Sequence, residues 1–242
     1  MLRSANELIG YHLLTSDDEE GVVKDLLFDD KSRIVRYLVV RTGNWLTGKE
    51  VLVSPVSVRE ADHQTKSIRS VLTADKIGKA PGIETDLPVS RQQEEELVSY
   101  YHWPTYWAPV ALPDAPTAPV GTHNGESGAR DTWDSHLRSV KEITGYSIEC
   151  IGDEMGHVED LIADIDSWVI RYLVIDTRDW LPGKKVIVSC EWLTDVRWSE
   201  RTVHVDLTRK QIETAPPFDP RTPVNREYEA RLYDFYGRPT YW

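Results

Sequence analysis

Shifted against itself by 135 residues, this chain matches without a gap. Glu7-Leu-Ile-Gly-Tyr11 falls on Glu142-Ile-Thr-Gly-Tyr146, and Arg36-Tyr-Leu-Val-Val40 falls on Arg171-Tyr-Leu-Val-Ile175. Trp45-Leu-Thr-Gly-Lys49 meets Trp180-Leu-Pro-Gly-Lys184, and Pro104-Thr-Tyr-Trp107 meets Pro239-Thr-Tyr-Trp242. One register therefore serves roughly residues 5–107 and 140–242. Whatever fold this is, it must be built twice from about 100 residues, a common domain size. The expected organisation is repeat 1 over 1–107, a linker over 108–134 and repeat 2 over 135–242. The linker is Pro- and Ala-rich, then polar, and a chain of that length spans about 30 Å. The repeats are free to sit together or apart.

Within one repeat the pattern is of short strands punctuated by Gly and Asp turns. Leu8–Leu14, Gly21–Phe28, Arg33–Arg41, Glu50–Ser54 and Lys66–Leu72 are the expected strands of repeat 1. Turns fall at the acidic Ser16–Gly21 and at Asp29–Ser32. After them, Ser90 with Gln93 forms a capping-box pattern, and Asn225 stands at the equivalent place in repeat 2. Leu97, Tyr100 and Tyr101, or Tyr228, Leu232, Phe235 and Tyr236, then recur at helical spacing. Each helix should stop before Pro104 or Pro239. The expected class is mainly β: two small β-barrels, each followed by a short C-terminal helix and an aromatic cap.

Composition narrows the function. The chain carries 28 basic and 40 acidic side chains, a formal charge of −12. That field repels nucleic acid and anionic membrane surfaces. No run approaches the roughly 20 apolar residues that cross a bilayer, and the first ten residues lack the apolar core of a secretion signal. The two cysteines, Cys150 and Cys190, make no disulfide framework. The expectation is a cytoplasmic protein, peripheral to a membrane complex at most, with no direct membrane insertion and no nucleic-acid partner.

The duplication also tests candidate chemistry, because a site needed in both repeats should appear twice. No histidine is doubled: His12 faces Ser147, His63 faces Trp198, His102 faces Gly237, and His157 and His204 face Val22 and Arg69. Neither cysteine is doubled. Acid–base and nucleophilic catalysis need a base beside a nucleophile, and no such set repeats. Doubled carboxylates do exist: Asp18-Glu19, Asp25 and Asp29 recur as Asp153-Glu154, Asp160 and Asp164. Their spacing fits no calcium loop, and they read as turn residues. Asp25 is expected to pair across its hairpin with Arg36, and Asp160 with Arg171, since an arginine inside an apolar strand needs a carboxylate. No catalytic, cofactor or metal residue is expected. Candidate partner contacts are Trp45, Lys49, Trp107, Trp180, Lys184 and Trp242, because aromatics anchor interfaces; the loop residues Trp45 and Trp180 can equally plug one end of their barrels. The caps themselves are expected to dock rather than hang free.

The strings "GVVKDLLFDDKSRIVRYLVV…GKEVLVSP" and "GHVEDLIADIDSWVIRYLVI…GKKVIVS" resemble the PRC-barrel family, named for the cytoplasmic domain of the photosynthetic reaction-centre H subunit. The matching positions are Gly10, Gly21–Asp25, Asp29, Arg36–Val40 and Val51–Pro55, repeated at Gly145, Gly156–Asp160, Asp164, Arg171–Ile175 and Val186–Ser189. Cys190 departs from the pattern where repeat 1 has Pro55. The resemblance implies small barrels used for assembly and protein contact, with no catalytic set to carry over. In the H-subunit branch it implies a link with the light reactions. An internal pseudo-dimer of repeats or a homo-oligomer follows as an expectation, since two-fold contacts are the commonest symmetry. The alternative is a small-ligand or metal-binding stress-related protein.

Overall fold

A computed structural model describes residues 1–43, 48–82, 89–107, 136–177 and 184–242. The expected linker lies outside the described residues. The protein is mainly β and holds two seven-stranded sheets. Repeat 1 runs β1 (Leu2–Ser4), α1 (Ala5–Leu8), β2 (His12–Leu14), β3 (Glu20–Asp29), β4 (Val35–Thr42) and β5 (Glu50–Val53). A 3-10 turn, Pro55–Ser57, leads to β6 (Val58–Asp62), β7 (Ser67–Ser70), α2 (Ala74–Gly78) and α3 (Arg91–Tyr101). Repeat 2 restates this as β8 (Leu137–Ser139), α4 (Val140–Ile143), β9 (Ser147–Ile151), β10 (Asp153–Asp164), β11 (Val169–Asp176) and β12 (Lys185–Ser189). After a second 3-10 turn, Cys190–Trp192, come β13 (Leu193–Arg197), β14 (Thr202–Thr208), α5 (Arg209–Thr214) and α6 (Arg226–Tyr236).

The strand order in repeat 1 is β5-β4-β3-β2-β7-β6, with β2 parallel to β7 and the other pairs antiparallel. The two edge strands are consecutive in sequence. Laid flat, six strands at about 4.8 Å spacing would put those edges about 24 Å apart. The five steps from Val53 to Val58 reach at most about 18 Å, and a 3-10 turn shortens them further. The sheet therefore rolls up, with the turn bridging the seam. Repeat 2 has the same order, β12-β11-β10-β9-β14-β13.

Motif glycines fix how closely strands approach. A Cβ on Gly21 would sit 2.8 Å from Val40 Cγ1, and one on Gly156 would sit 2.1 Å from the Asp176 carbonyl oxygen. Only a bare backbone fits there.

One expectation fails at the N-terminal end of each repeat. Leu8–Leu14 is not one strand: Leu8 ends α1, and the strand starts only at His12. Ser4 Oγ accepts from the Glu7 amide and Ser139 Oγ from the Glu142 amide, so each segment starts as a capped helical turn. Gly10 and Gly145, at φ 102° and 92°, then turn the chain into the barrel.

The helices end where proline requires. α3 begins with the expected Ser90/Gln93 capping box and stops at a left-handed His102; α6 begins at Asn225 and stops at a left-handed Gly237.

Candidate functional site

The seventh strand of each sheet comes from the other repeat. β1 pairs antiparallel with β10, Leu2 opposite Asp164 and Ser4 opposite Ile162. β8 pairs antiparallel with β3, Leu137 opposite Asp29 and Ser139 opposite Leu27. Between these exchanged strands, the Val35 amide donates to Trp168 O (2.7 Å) and the Ile170 amide to Arg33 O (2.8 Å). Leu2, Ala5 and Leu8 are buried, as are Leu137, Val140 and Ile143, and the buried apolar residues of both repeats form one cluster.

The doubled aspartates hold this clasp. β3 and β10 each carry a bulge, between Val23 and Asp25 and between Val158 and Asp160. A bulge re-aims the following side chain. Asp25 accepts from Ser139 Oγ (2.5 Å) and the Lys141 amide (3.3 Å) of repeat 2. Asp160 accepts from Ser4 Oγ (2.5 Å) and the Asn6 amide (3.0 Å) of repeat 1. Burial pushes both carboxyls above the usual aspartate range, and the hydrogen bonds only partly offset it. The expected Asp25–Arg36 and Asp160–Arg171 pairs are thus corrected: each aspartate caps the short helix of the opposite repeat. The signal for this lay in the sequence. Leu2-Arg3-Ser4 and Leu137-Arg138-Ser139 are identical at the same 135-residue shift, each followed by Glu three residues after the serine.

Arg36 and Arg171 find aromatic partners instead. The Arg36 guanidinium lies 3.8 Å from the Tyr106 ring centre, and that of Arg171 lies 4.2 Å from the Tyr241 ring centre. These tyrosines belong to the repeated Pro-Thr-Tyr-Trp caps, and they explain the repetition. Each helix buries one glutamate, Glu94 or Glu229, at 2% exposure. Tyr106 Oη donates to Glu94 Oε2 (2.5 Å), as does Tyr37 Oη (3.2 Å), and Arg91 pairs with its Oε1 at 3.1 Å. In repeat 2, Tyr241 and Tyr172 donate to Glu229 Oε1 at 2.8 and 2.6 Å, and Arg226 pairs with Oε2 at 3.2 Å. Burial raises the Glu94 carboxyl, with hydrogen bonds from Tyr106 and Tyr37 and the Arg91 charge opposing it. The Tyr241 hydroxyl is pushed up to about 12, first by burial and then by Glu229. Each cap docks on its own repeat because its tyrosine satisfies a buried carboxylate that would otherwise be costly.

Of the six candidate contact residues, Trp45 and Trp180 lie outside the described residues. Lys49 and Lys184 are half-buried; each Nζ donates to a carbonyl at the end of a short helix, Ala80 O (2.7 Å) after α2 and Glu213 O in α5. Trp107 is half-exposed under Arg91, 4.3 Å from the ring centre, and Trp242 is 47% exposed beside Arg226 at 4.1 Å. The structure thus brings Trp107 and Trp242 to the surface of their caps as equivalent arginine-stacked faces.

Among the described residues no group of three or more His, Cys, Asp or Glu side chains is placed to hold a metal ion. Asp29 instead accepts from the Lys31 and Ser32 amides to close its hairpin, and Asp153 pairs with Arg209 at 3.0 Å. Cys150 and Cys190 are both buried, and burial pushes the Cys190 thiol up to about 12, so it stays protonated.

Comparison with known proteins adds a family-model match. No curated protein matches the chain. Residues 2–77, from the exchanged strand β1 into α2, match the family model of the PRC-barrel domain. Those are the residues whose Gly21 close approach, Asp25 bulge and β5–β6 seam define the first rolled sheet, so the similarity to the PRC-barrel domain covers the first rolled sheet apart from β8.

Proposed function

We propose that this chain is a non-catalytic assembly module in which two related barrels act as one rigid body. The observation that carries the reading is the reciprocal strand exchange. It converts two repeats into a single unit that presents two equivalent cap faces, around Trp107 and Trp242, in a fixed relation. Such a body suits bridging of partners, because pre-organised surfaces lose little entropy on binding. PRC-barrel domains serve as protein-interaction modules, and the family resemblance directs the search to photosynthetic reaction-centre or electron-transport complexes. The site of action is then the cytoplasm, peripheral to a membrane complex; among the described residues no helix is long and apolar enough to cross a membrane.

The test is affinity capture of the full chain from native cells with membranes included. Wild type should enrich subunits of one membrane complex, and Trp107→Ala with Trp242→Ala should lose them. Equal recovery by wild type and the double variant would defeat the cap-face reading. Turnover of a substrate by the purified chain would defeat the non-catalytic one.

A further inference from the structure

The two halves of the clasp are alike in backbone and unlike in what secures them. β8 carries Arg138 and β1 carries Arg3, the same residue at the 135-residue shift. The Arg138 guanidinium lies 4.6 Å from the Trp198 ring centre, and its Nε stands 3.5 Å from an Asp30 carboxylate oxygen. A cation–π contact and an ion pair thus hold that arginine between the two repeats. On the β1 half the shift puts Ile165 at Asp30 and His63 at Trp198. Ile165 offers Arg3 no carboxylate, and the guanidinium donates instead to Met1 Sδ, at 3.2 Å from Nε and 3.0 Å from Nη2.

His63 occupies the tryptophan's seat. Its ring centre lies 5.7 Å from that of Tyr11 at 64°, against 5.8 Å and 62° for Trp198 and Tyr146. Its Nδ1 is 2.8 Å from Tyr11 Oη, and its Nε2 is buried with no hydrogen-bond partner. The charged and titratable groups around it are Arg3 on β1, Glu7 on α1, Asp62 on β6, Tyr11, and the Met1 amine, which pairs with Asp164 on β10 at 2.7 Å. Burial first, and then the Arg3 charge, hold the imidazole below the ordinary histidine range, against the pull of Glu7 and Asp62. A proton on His63 therefore charges a ring that has one nitrogen without an acceptor and a cation nearby. On the β8 half the titratable ring is His136, whose Nδ1 faces the Asp30 carboxylate at 3.6 Å. Positive charge is opposed on one half and matched on the other.

We infer that the clasp is latched unequally: in mild acid its β1 half opens through His63 while its β8 half stays closed. The open form takes up the proton more readily than the closed one. The latch is therefore at full strength above the ordinary histidine range and weakens as pH falls through it. Opening uncovers Leu2, Ala5 and Leu8, which are buried in the closed form, and frees β10 from β1. The repeats remain joined through β8 on β3.

Amide hydrogen exchange of the full chain tests this, read by mass spectrometry on peptides covering 2–8 and 137–143 at about pH 7.5 and about pH 5.5, with intrinsic rates corrected. Asp25 and Asp160 act on the two halves alike, so the ratio of protection between the peptides reports the latch. In wild type, protection of 2–8 relative to 137–143 should fall by about two- to ten-fold, ten-fold being roughly the most that one group gives over one pH unit below its unfolded value. His63→Trp installs the ring that repeat 2 uses, and His63→Gln keeps a neutral polar side chain where the larger ring misfits. Both should flatten the ratio, with their folds checked by circular dichroism. A wild-type change under about two-fold, a larger loss at 137–143, or a fall that persists in either folded variant overturns the inference.

Discussion

Repeat 1 and repeat 2 seat a tryptophan against the same tyrosine of the C-terminal helix, but they take it from different points of the chain. In repeat 1 it is Trp103, just past α3, stacked on Tyr101 at 4.1 Å and 13° and donating from Nε1 to Ser57 Oγ (2.8 Å). In repeat 2 it is Trp192, in the 3-10 turn, 4.7 Å from Tyr236 and 5.2 Å from Tyr233. Trp192 stands at the position of Ser57, and Arg238 stands at the position of Trp103. Arg238, freed from the packing role, pairs with Asp206 at 2.7 Å. A ring of this size must be supplied once and not twice, so each repeat carries it at one of the two positions. What the fold conserves is filled volume over the helix, not the residue that fills it.

The buried glutamate is common to both repeats, and removing it should have the largest effect. Glu94→Ala or Glu229→Ala leaves an arginine and two tyrosine hydroxyls without their acceptor and should each cost about 3 kcal/mol or more, read from denaturant melts. If either change costs under about 1 kcal/mol, the caps are not held by this network.

The exchange of tryptophans comes next. Trp192→Ser should destabilise by about 3 kcal/mol. Adding Arg238→Trp, which rebuilds the solution used by repeat 1, should restore a measurable part of that loss. Strict additivity of the two changes would show that the two rings do not share one seat.

The clasp gives a pH-dependent prediction. Asp25 and Asp160 hold their protons more tightly folded than unfolded, so ionisation costs stability as pH rises from the ordinary aspartate range through their raised values. Below that range the cost is absent. Asp25→Asn keeps an acceptor oxygen and removes the ionisation. Its stability relative to wild type should therefore improve as pH rises through the window, by less than about 2 kcal/mol. A difference that is flat with pH would mean that the clasp leaves Asp25 titrating as it does in the unfolded chain.

The smallest effect concerns the helix ends. His102 and Gly237 occupy the same left-handed position, φ 61° and 62°. Only glycine adopts it without steric cost. His102→Gly should stabilise by about 0.5–1 kcal/mol and Gly237→His should cost a similar amount, measured by thermal melts. Opposite signs would place the left-handed strain elsewhere.

Much of the fold was readable because repetition acts as an internal alignment. Strand alternation, the Asp29 hairpin and the Ser90 and Asn225 caps are local signals, and each element formed where its own residues asked for it. Asp25 was misread because a bulge rotates it, and a bulge in β3 is set by pairing with β4. The partners of Arg36 and Glu94 lie 70 and 12 residues away at Tyr106, joined only once α3 packs on the barrel. Leu2-Arg3-Ser4 carried its signal in plain view, yet three residues of helix-capping sequence do not say which barrel they will join.

By itself the sequence determined that one unit is made twice, that it is mainly β, and that each copy ends in a capped helix and an aromatic tail. Those properties follow from neighbours in the chain: periodicity, turn chemistry and capping act over a few residues. Only the tertiary structure decided that the repeats exchange strands and that Asp25 and Asp160 cap the opposite repeat. Identical exchange strands could have paired at home or across. The choice rests on which arrangement buries Leu2, Leu8, Leu137 and Ile143 while satisfying two aspartates, a balance summed over both repeats at once.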